Sequence, residues 1–437
     1  MRMYDLIQRK KEGKSLSTEE IREMIRGYTK GVIPDYQMSA MLMSICFQGM
    51  DDRETYDLTM AMRDSGEILD LSGIYGLKAD KHSTGGVGDK TTLVLAPILG
   101  ALGLKVAKMS GRGLGFTGGT IDKLECFPGF STAISMEQFI KNVNSIGLAL
   151  AGQTANLAPG DKKLYALRDV TATVDQMSLI AGSIMSKKLA AGSDIIVLDV
   201  KTGSGAFMKT LKDSKKLAET MVDIGTRAGK RVSAIITDMD QPLGYAVGNS
   251  LEVIEAIEAL SGGGPKDLME VVYALGAEML LLAEKAENLD IAEKMMVDCV
   301  ESGRAKEKFA EFILAQGGED SYVWDTEKFP KAAYEKEVCS KEKGFVTGIE
   351  AERVGNACMA LGGGRETKEG SIDLSVGIVL KKKKSMAVEK GEVLAVVYGN
   401  DSEKIKRAEA QICSAYKIGG TKPAEEPMIK LKISPRI

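Results

Sequence analysis

The sequence predicts an α/β protein with a small all-helical domain, a larger α/β domain with a central, mostly parallel sheet, and a C-terminal α+β lobe. Three observations predict this arrangement. Residues 1–65 carry helical periodicity throughout, short apolar runs ending in glycine-rich loops follow from about residue 75, and glycine and valine dominate from Phe345 onward. Each apolar run precedes a helical pattern, and this β-loop-α alternation is typical of a parallel sheet covered by helices.

The opening helical domain, residues 1–65, has clear helix starts and stops. The stretch "MYDLIQRKK" ends at Gly13, a capping box joins Ser17 to Glu20, and a third helical pattern follows Pro34. A second helical segment, residues 161–190, contains no strand signal and interrupts the alternation of strands and helices. We expect it to form two helices that pack back onto the opening domain.

The predicted α/β domain comprises residues 70–160 and 191–335. Its strand-and-loop signals are "KVAKMSGRGLGFTGG" at 105–119, "SDIIVLDVKTGSG" at 193–205 and "RVSAIITDMDQPLG" at 231–244, and residues 265–318 continue as long helices. The predicted C-terminal lobe, residues 345–437, shows two alternating strands around the run Lys381 to Lys384. A lysine run of this kind favours a solvated turn over a binding patch.

Composition excludes several classes of function. The chain of 437 residues has a formal net charge of −3, which supplies no basic field for nucleic acid. Six scattered cysteines without a C-x-x-C pair disfavour disulfides and zinc, and a single histidine excludes a cage of histidine ligands. The N-terminus has no signal-peptide core, and no apolar run is long enough to span a bilayer. We therefore predict a cytoplasmic protein without nucleic-acid or membrane partners.

Two glycine-rich loops carry the same set of donor groups. "DKHSTGGVGDKTT" at 80–92 and "KMSGRGLGFTGGT" at 108–120 each offer a lysine, a serine and several glycines before a threonine at a predicted helix start. Backbone amides at a helix start, hydroxyls and an ammonium group together bind oxyanions. The alternative is that the glycines only permit turns, but two matching loops after neighbouring strands favour phosphate binding.

Two nucleotide-binding patterns fit less well. A Walker loop requires glycine before its lysine, whereas Asp89 precedes Lys90. The stretch "GLGFTG" at 113–118 matches the dinucleotide pattern, but the position of the ribose-binding acid falls in "ISMEQFIKN", which predicts a helix start instead of a strand end. An ATPase and a dinucleotide enzyme are therefore disfavoured.

The only histidine, His82, lies inside the first loop. A structural histidine is one interpretation, but its position beside lysine and serine favours contact with a ligand, to which an imidazole can donate a proton near neutral pH. Ser183 and Lys187 are four residues apart and share a helix face, with Arg168 on the preceding predicted helix. These three side chains either converge on a ligand's carbonyl oxygens and ring nitrogen or are solvated on a helix surface.

The chain contains a series of long strings that are specific to one protein family: "KHSTGGVGD", "AKMSGRGLG", "TGGTIDKLE", "DKKLYALRDVTATV", "SIMSKK", "VKTGSGAFMK" and "QPLGYAVGNSLEV". Through these strings the sequence resembles the thymidine and pyrimidine-nucleoside phosphorylases over essentially its whole length. The resemblance implies a helical domain facing an α/β domain across a cleft, a C-terminal lobe and a homodimer formed through helices. It also implies reversible phosphorolysis: inorganic phosphate attacks C1′ of a pyrimidine nucleoside, yielding the base and an α-pentose 1-phosphate, without an organic cofactor.

The resemblance also assigns roles to individual residues. The positions that match the family's phosphate-binding residues are Lys81, Ser83, Thr92, Lys108, Ser110 and Thr120. Those that match the pyrimidine contacts are His82, Arg168, Lys187 and Ser183. The first three of these are the expected catalytic residues: His82 donates a hydrogen bond or a proton to the base, and the two cations stabilise its developing negative charge. Ser183 is expected to orient the base.

The family further binds a structural monovalent cation, usually potassium, at positions that match Gly88, Lys90, Leu243, Ala246 and Glu255. Relatives commonly carry a small hydroxyl residue where this chain has Lys90, and we hypothesise that its ammonium group, folded inward, replaces the cation. Relatives also commonly carry histidine where this chain has Phe116, so the latch that closes the cleft differs here. The glycine-rich crossings near residues 66–76, 152–160 and 190–193 are the predicted hinges.

Three kinds of function compete at this point. The first is a pyrimidine-nucleoside phosphorylase that accepts uridine, thymidine and deoxyuridine, with a strict thymidine phosphorylase as the nearest alternative. A phosphoribosyltransferase of the anthranilate type has a related fold, but it should depend on magnesium and normally lacks the C-terminal lobe. A phosphate- or nucleoside-binding regulator would bind without turnover, and the intact set of expected site residues argues against it.

Overall fold

Helices at the start of the chain form a bundle in the computed structural model, which describes residues 2–113, 115–116, 118–154, 156–365 and 370–435. They are α1 (Met3–Lys11), α2 (Thr18–Thr29), α3 (Asp35–Gln48) and α4 (Asp52–Arg63). The capping box is present, because Ser17 Oγ accepts from Glu20 N at 3.3 Å and the Glu20 carboxylate accepts from Ser17 N at 2.8 Å. A buried ion pair of 2.8 Å between Lys10 and Glu54 joins α1 to α4.

Alternating strands and helices follow from residue 78. In chain order they are β1 (Lys78–Ser83), α5 (Thr91–Ala101), β2 (Lys105–Ser110), α6 (Thr120–Leu124), α7 (Met136–Ile146) and β3 (Leu148–Gly152). Both helices that were expected to begin at threonine do so. Helix α5 is apolar around its whole circumference because it packs between β2 and β3 on one side and later helices on the other.

The segment expected to return to the opening domain forms α8 (Pro159–Asp169) and α9 (Met177–Ala190). Helix α8 packs on α2 and α4, and α9 packs on α4. Leu164 and Leu179 complete the core of the first four helices. The chain crosses between the two regions at neighbouring points, since Glu67 N donates to Asn156 O at 3.0 Å.

The central sheet continues with β4 (Ile195–Thr202) and β5 (Arg231–Asp238), joined by α10 (Leu211–Arg227). Strands β3, β2, β1, β4 and β5 lie in this order and run parallel. Helices α9 and α10 cover one face, and α5 lies on the other with α11 (Asn249–Leu260), α12 (Lys266–Leu282), α13 (Leu289–Glu301), α14 (Arg304–Ala315) and the short α15 (Ser321–Trp324). The predicted fold class is confirmed. None of the helices in the described ranges is long and apolar enough to cross a membrane.

In its described residues, the C-terminal lobe combines two antiparallel sheets with two α-helices. Its strands are β6 (Ala246–Val247), β7 (Tyr334–Cys339), β8 (Gly344–Ile349), β9 (Gly377–Leu380), β10 (Ala387–Val388), β11 (Val393–Gly399) and β12 (Tyr416–Gly419). Its helices are α16 (Ala351–Cys358), followed by a π-helical turn at Met359–Gly363, and α17 (Ser402–Ala415). Strand β6 precedes α11 in the chain but pairs with β9, so it attaches the α/β domain to the lobe.

Two features of the C-terminal region differ from the sequence-based expectation. Strand β13 (Ile429–Ile433), assigned above to the lobe 345–437, instead pairs antiparallel with β5 at the edge of the central sheet. The lysine run is not wholly solvated, because Lys383 is 6% exposed and its ammonium group contacts Gly244 O at 2.8 Å and Asp267 at 2.9 Å. Lys383 is therefore bound by buried acceptors of the α/β domain, although the local sequence pattern predicts that it is solvated.

Candidate active site

A cavity of about 400 Å³ opens beyond the carboxyl ends of β1, β2 and β4, beside helices α8 and α9. The chain builds the sheet outward from β1 to β3 and then returns to the other side of β1 with β4. Such a reversal of strand order is the switch point at which parallel α/β sheets bind ligands. The cavity is lined by both glycine-rich loops and by both helices of the returning segment.

Five of the six expected phosphate ligands line this cavity, and we call them the phosphate site: Ser83, Thr92, Lys108, Ser110 and Thr120. Asp89 orients the first loop, because its carboxylate accepts from Ser83 Oγ at 2.5 Å and from Thr91 N at 3.2 Å. Hydroxyl groups, an ammonium group and the N-terminus of α5 thus border one space, as oxyanion binding requires.

Lys81, the sixth expected phosphate ligand, is not among the residues that line the cavity. Alternation along β1 turns its side chain to the face opposite His82. There its ammonium group lies buried, 3.2 Å from Asp199 and 3.8 Å from Asp89. The Lys81 ammonium group thus lies beneath the first loop, beside the Asp89 carboxylate that holds Ser83 of the phosphate site, and the two carboxylates compensate its positive charge.

The second loop depends on Gly119. A Cβ atom there would lie 2.1 Å from Gly113 N and 2.5 Å from Asp122 Oδ2, closer than a side chain can approach. The Asp122 carboxylate accepts from Gly113 N at 2.8 Å, from Arg112 at 3.0 Å and from Arg365 at 2.7 Å. This buried carboxylate consequently ties the loop to the C-terminal lobe.

Phe116, the departure noted in the second loop, also contacts that lobe. A Cβ atom on Gly355 of α16 would lie 2.8 Å from Phe116 O and 3.2 Å from Phe116 Cβ. Residue 116, where the family resemblance implies a histidine, therefore passes close to α16.

Lys108 lies where strands β1 and β2 separate. Residue pairing between β1 and β2 covers only their first two residues. Beyond that point the Lys108 ammonium group donates to Lys81 O at 2.6 Å and to Asp80 Oδ1 at 3.3 Å. Burial, together with Lys188 and Lys81, outweighs the attraction of Asp80 and lowers the pKa of Lys108 to about 8. The phosphate site therefore contains an ammonium group that is charged at neutral pH and loses its proton slightly above it.

Asp80 is the buried anion beneath the site, and sequence reasoning missed it. Its carboxylate accepts from Lys188 at 2.7 Å as well as from Lys108. Burial opposes its ionisation, but the two lysines outweigh this and hold the pKa of Asp80 below its ordinary value. Asp80 and His82 are two residues apart and therefore lie on the same face of β1. The string "DKHS" contains this spacing, so the sequence could have indicated Asp80. Lys188 gives no such signal, since only the packing of α9 brings it to the sheet.

The four expected pyrimidine contacts also line the cavity, and we call them the pyrimidine site: His82, Arg168, Ser183 and Lys187. The Lys187 ammonium group donates to Ser183 Oγ, one helical turn away, at 3.0 Å. It also donates to Asp161 Oδ2 at 2.5 Å, a partner that sequence reasoning missed. Because an ammonium group has three donors, these two contacts orient Lys187 and leave it able to bind a ligand.

Arg168 is held by the backbone that links α8 to α9. Its guanidinium donates to Thr173 O at 3.1 Å, Val174 O at 2.6 Å and Leu179 O at 3.1 Å. A guanidinium has further N–H donors, which remain for a ligand. The apolar part of the cavity wall comes from Tyr165, Val174, Ile180, Ile184, Phe207 and Leu217. An apolar wall with a few fixed cationic donors suits a planar ring that carries carbonyl oxygens.

His82 is uncharged in this setting. Burial, followed by the charges of Lys188, Lys108, Lys81 and Lys187, lowers its pKa well below the ordinary value of 6.5. A neutral imidazole donates a hydrogen bond but is not a cationic acid at neutral pH. Of the two roles expected for His82, the surroundings therefore favour the hydrogen-bond donor.

The residues expected around a potassium ion surround the Lys90 ammonium group instead. It donates to Leu243 O at 2.8 Å, Ala246 O at 3.0 Å and Glu255 Oε2 at 2.6 Å, while Gly88 O accepts from Lys90 N at 2.9 Å. Burial opposes its charge, but Glu255 together with Glu252 and Asp267 outweighs this and raises the pKa of Lys90. These oxygens do not fit a potassium ion, because a cation already binds them.

Three family models match most of the chain. Residues 4–66 match the glycosyl transferase family, helical bundle domain; residues 76–306 match the glycosyl transferase family, a/b domain; and residues 345–419 match the pyrimidine nucleoside phosphorylase C-terminal domain. Over 434 residues the chain is 56% identical to the pyrimidine-nucleoside phosphorylase of Geobacillus stearothermophilus, covering 99% of this chain and 100% of that protein. This chain belongs to the pyrimidine-nucleoside phosphorylase family. The resemblance inferred from the sequence strings is confirmed.

Two further comparisons agree with this membership. The chain is 58% identical over 400 residues to the pyrimidine-nucleoside phosphorylase of Bacillus subtilis (strain 168), covering 92% of each protein. The crystal structure of anthranilate phosphoribosyltransferase from Thermus thermophilus has a TM-score of 0.56 at 17% identity and covers 71% of this chain and 98% of that chain. At that identity the likeness shows the fold alone. As a phosphorylase of the glycosyl transferase family, the protein is a pentosyltransferase.

Proposed function

We propose that this member of the phosphorylase family catalyses the reversible phosphorolysis of pyrimidine nucleosides to the free base and α-D-ribose or deoxyribose 1-phosphate. One observation carries the proposal: the phosphate site and the pyrimidine site line the same cavity of about 400 Å³. The names of relatives that share more than half of their residues with this chain support it.

In the proposed mechanism, phosphate bound at the phosphate site attacks C1′ while the bond from C1′ to N1 of the base breaks. The sugar becomes oxocarbenium-like, and the negative charge of the phosphate stabilises it. The departing base gains negative charge on N1, O2 and O4, which the fixed cationic donors of Arg168 and Lys187 and the neutral donor of His82 stabilise. The proton that hydrogen phosphate loses as its oxygen bonds C1′ balances the proton that the base takes up, so the products are the free base and the sugar phosphate. Donors oriented before the reaction stabilise such charge strongly in a desolvated site, and Asp161 provides that orientation for Lys187.

Domain closure is part of this proposal. One moving part is the helical domain, residues 1–65 with 161–190. The other is the α/β domain, residues 70–160 with 191–335. The hinges between them are the crossings at 66–76, 152–160 and 190–193. The phosphate site belongs to the second part, whereas three of the four pyrimidine-site residues lie on α8 and α9 of the first. Closure would bring phosphate to C1′ and expel water.

We further propose a homodimer formed through the helical region. Tyr36, Met43 and Phe47 of α3 are 74%, 37% and 81% exposed. Their spacing places them on one side of the helix, and a contiguous exposed apolar surface marks an interaction site. Sedimentation of the native chain and of a Phe47→Lys variant tests this assignment, with dissociation expected for the variant only.

Inorganic phosphate is the proposed co-substrate, and the proposal includes no organic cofactor. Uridine, thymidine and deoxyuridine are the proposed nucleosides. Strict specificity for thymidine is not favoured, because the most similar relatives described above are named for pyrimidine nucleosides as a class. The cytoplasmic location and the absence of nucleic-acid and membrane partners stay predictions of the sequence.

Base release from the three nucleosides, measured with and without phosphate, tests the proposed function. We expect release only with phosphate. Lys108→Met should lower kcat/KM for phosphate by roughly 100-fold or more, as loss of an oriented donor does, while Lys141→Met, on the exposed side of α7, should leave it unchanged. Release without phosphate would indicate a hydrolase, release from thymidine alone the strict enzyme, and no release a binding protein.

A further inference from the structure

We propose that Lys90 is a built-in cation: its ammonium group takes the place of the monovalent ion implied by the family resemblance, so this protein needs no potassium. The inference goes beyond the proposed reaction. It is tested by melting temperature as well as by turnover, so it can fail while the proposed function stands.

The hydrogen bonds of Lys90 leave no part of the site for a second cation. An ammonium group has three N–H donors, and here they meet two backbone carbonyls and one carboxylate at 2.6 to 3.0 Å. The Lys90 side chain is fully buried. Backbone carbonyl oxygens are the groups that replace the hydration shell of potassium in proteins. The chain therefore surrounds its own ammonium group with ligands that suit that ion.

The charges around this site are already balanced. Each of three largely buried carboxylates near the turn at residues 242–246 pairs with a lysine, in the pairs Glu255–Lys90 at 2.6 Å, Glu252–Lys123 at 2.7 Å and Asp267–Lys383 at 2.9 Å. An additional potassium ion would be a buried positive charge without a counterion, which is strongly unfavourable. Removing the Lys90 ammonium group would instead leave Glu255 and two carbonyls facing a space that a cation suits.

The position of Lys90 shows which parts of the fold its ammonium group connects. Lys90 precedes α5, whose first turn contributes Thr92 to the phosphate site. Its ammonium group binds the carbonyls of Leu243 and Ala246, while Lys383 of the C-terminal lobe binds Gly244 O in the same turn. The built-in cation thus connects the phosphate loop to the turn that joins the lobe, without an exchangeable ion.

The experiment compares the native chain with Lys90→Ser, Lys90→Thr and Lys90→Met in potassium chloride and in choline chloride of equal ionic strength. Melting temperature and phosphate-dependent base release are measured for each. The two hydroxyl variants create room and oxygen ligands for potassium. The Met variant is the matched control, because it retains the bulk of the side chain without the charge or the space.

For the native chain we expect both quantities to be the same in the two salts. Lys90→Ser and Lys90→Thr should melt roughly 5 °C or more lower in choline chloride, and potassium should restore them with a saturable dose response. Lys90→Met should stay low in both salts.

Two kinds of result would overturn the proposal. One is a native chain that loses melting temperature or turnover without potassium and regains it when potassium is added. The other is a pair of hydroxyl variants that are as stable as the native chain in choline chloride, or that potassium fails to restore. If neither hydroxyl variant folds, the native chain alone decides the question.

Discussion

Replacing Asp80 with asparagine tests how charge beneath the phosphate site controls phosphate capture. The Asp80 carboxylate lies 3.3 Å from the Lys108 ammonium group and raises the pKa of that lysine, which is nevertheless only about 8. With this value, about three quarters of the Lys108 side chains carry a proton at pH 7.5. Loss of a neighbouring opposite charge shifts a pKa by about 1–3 units, here downward, so about one quarter or fewer remain protonated in Asp80→Asn.

Only protonated Lys108 attracts the phosphate dianion, so this fraction should appear in the kinetics. For the native chain, kcat/KM for phosphate should fall on the alkaline side with a midpoint at about pH 8. In Asp80→Asn the midpoint should move down by about one unit or more, and kcat/KM at pH 7.5 should fall about threefold or more. In Lys108→Met the alkaline limb should be absent and the values low throughout.

The assay is the initial rate of base release at saturating uridine and low phosphate between pH 6 and 9.5, corrected for the dianion fraction of phosphate. Asp298→Asn, which changes an exposed carboxylate on α13, is the matched control and should reproduce the native profile. Circular dichroism at each pH confirms that the variants are folded. A native profile without an alkaline limb, or equal midpoints for the native chain and Asp80→Asn, would refute the reasoning.

Three other predictions concern single groups in the site. His82, the only histidine, should titrate in ¹H–¹⁵N spectra well below 6.5, because burial and the surrounding lysines lower its pKa; a midpoint at or above 6.5 contradicts this. Asp161→Asn should lower kcat roughly 10-fold or more and leave KM for phosphate nearly unchanged, because Lys187 then loses the carboxylate that orients it. Equal changes in kcat and in KM for phosphate would exclude a positioning role for Asp161. Gly119→Ala should raise KM for phosphate roughly 10-fold or more, because the added Cβ would lie 2.1 Å from Gly113 N. Gly118→Ala is the control and should be tolerated, because its Cβ would lie 3.4 Å from the nearest atom, Lys123 Cε. Equal KM values for the two variants would show that the loop adapts to the added methyl group.

The sequence by itself determined the features that depend on neighbours within one or two turns. Helical periodicity and capping residues predicted the opening bundle, and the alternation of apolar runs with helical patterns predicted the parallel sheet. The starts of α5 and α6 and the one-turn contact between Ser183 and Lys187 followed from local spacing. These predictions succeeded because helix and strand periods are local properties of the chain. The long strings shared with a known family supplied the role of each site residue, which spacing alone left open.

Tertiary structure decided where charges meet. Asp80 and Lys188 are 108 residues apart, and Lys90 and Leu243 are 153 apart, so no local pattern joins them. Strand pairing placed Lys81 beside Asp199 of β4, packing against the α/β domain buried Lys383, and β13 pairs with the edge of the central sheet instead of the lobe. A buried charge is stable only beside its partner, and the order of strands and the packing of helices, rather than distance along the chain, determine which partner is near.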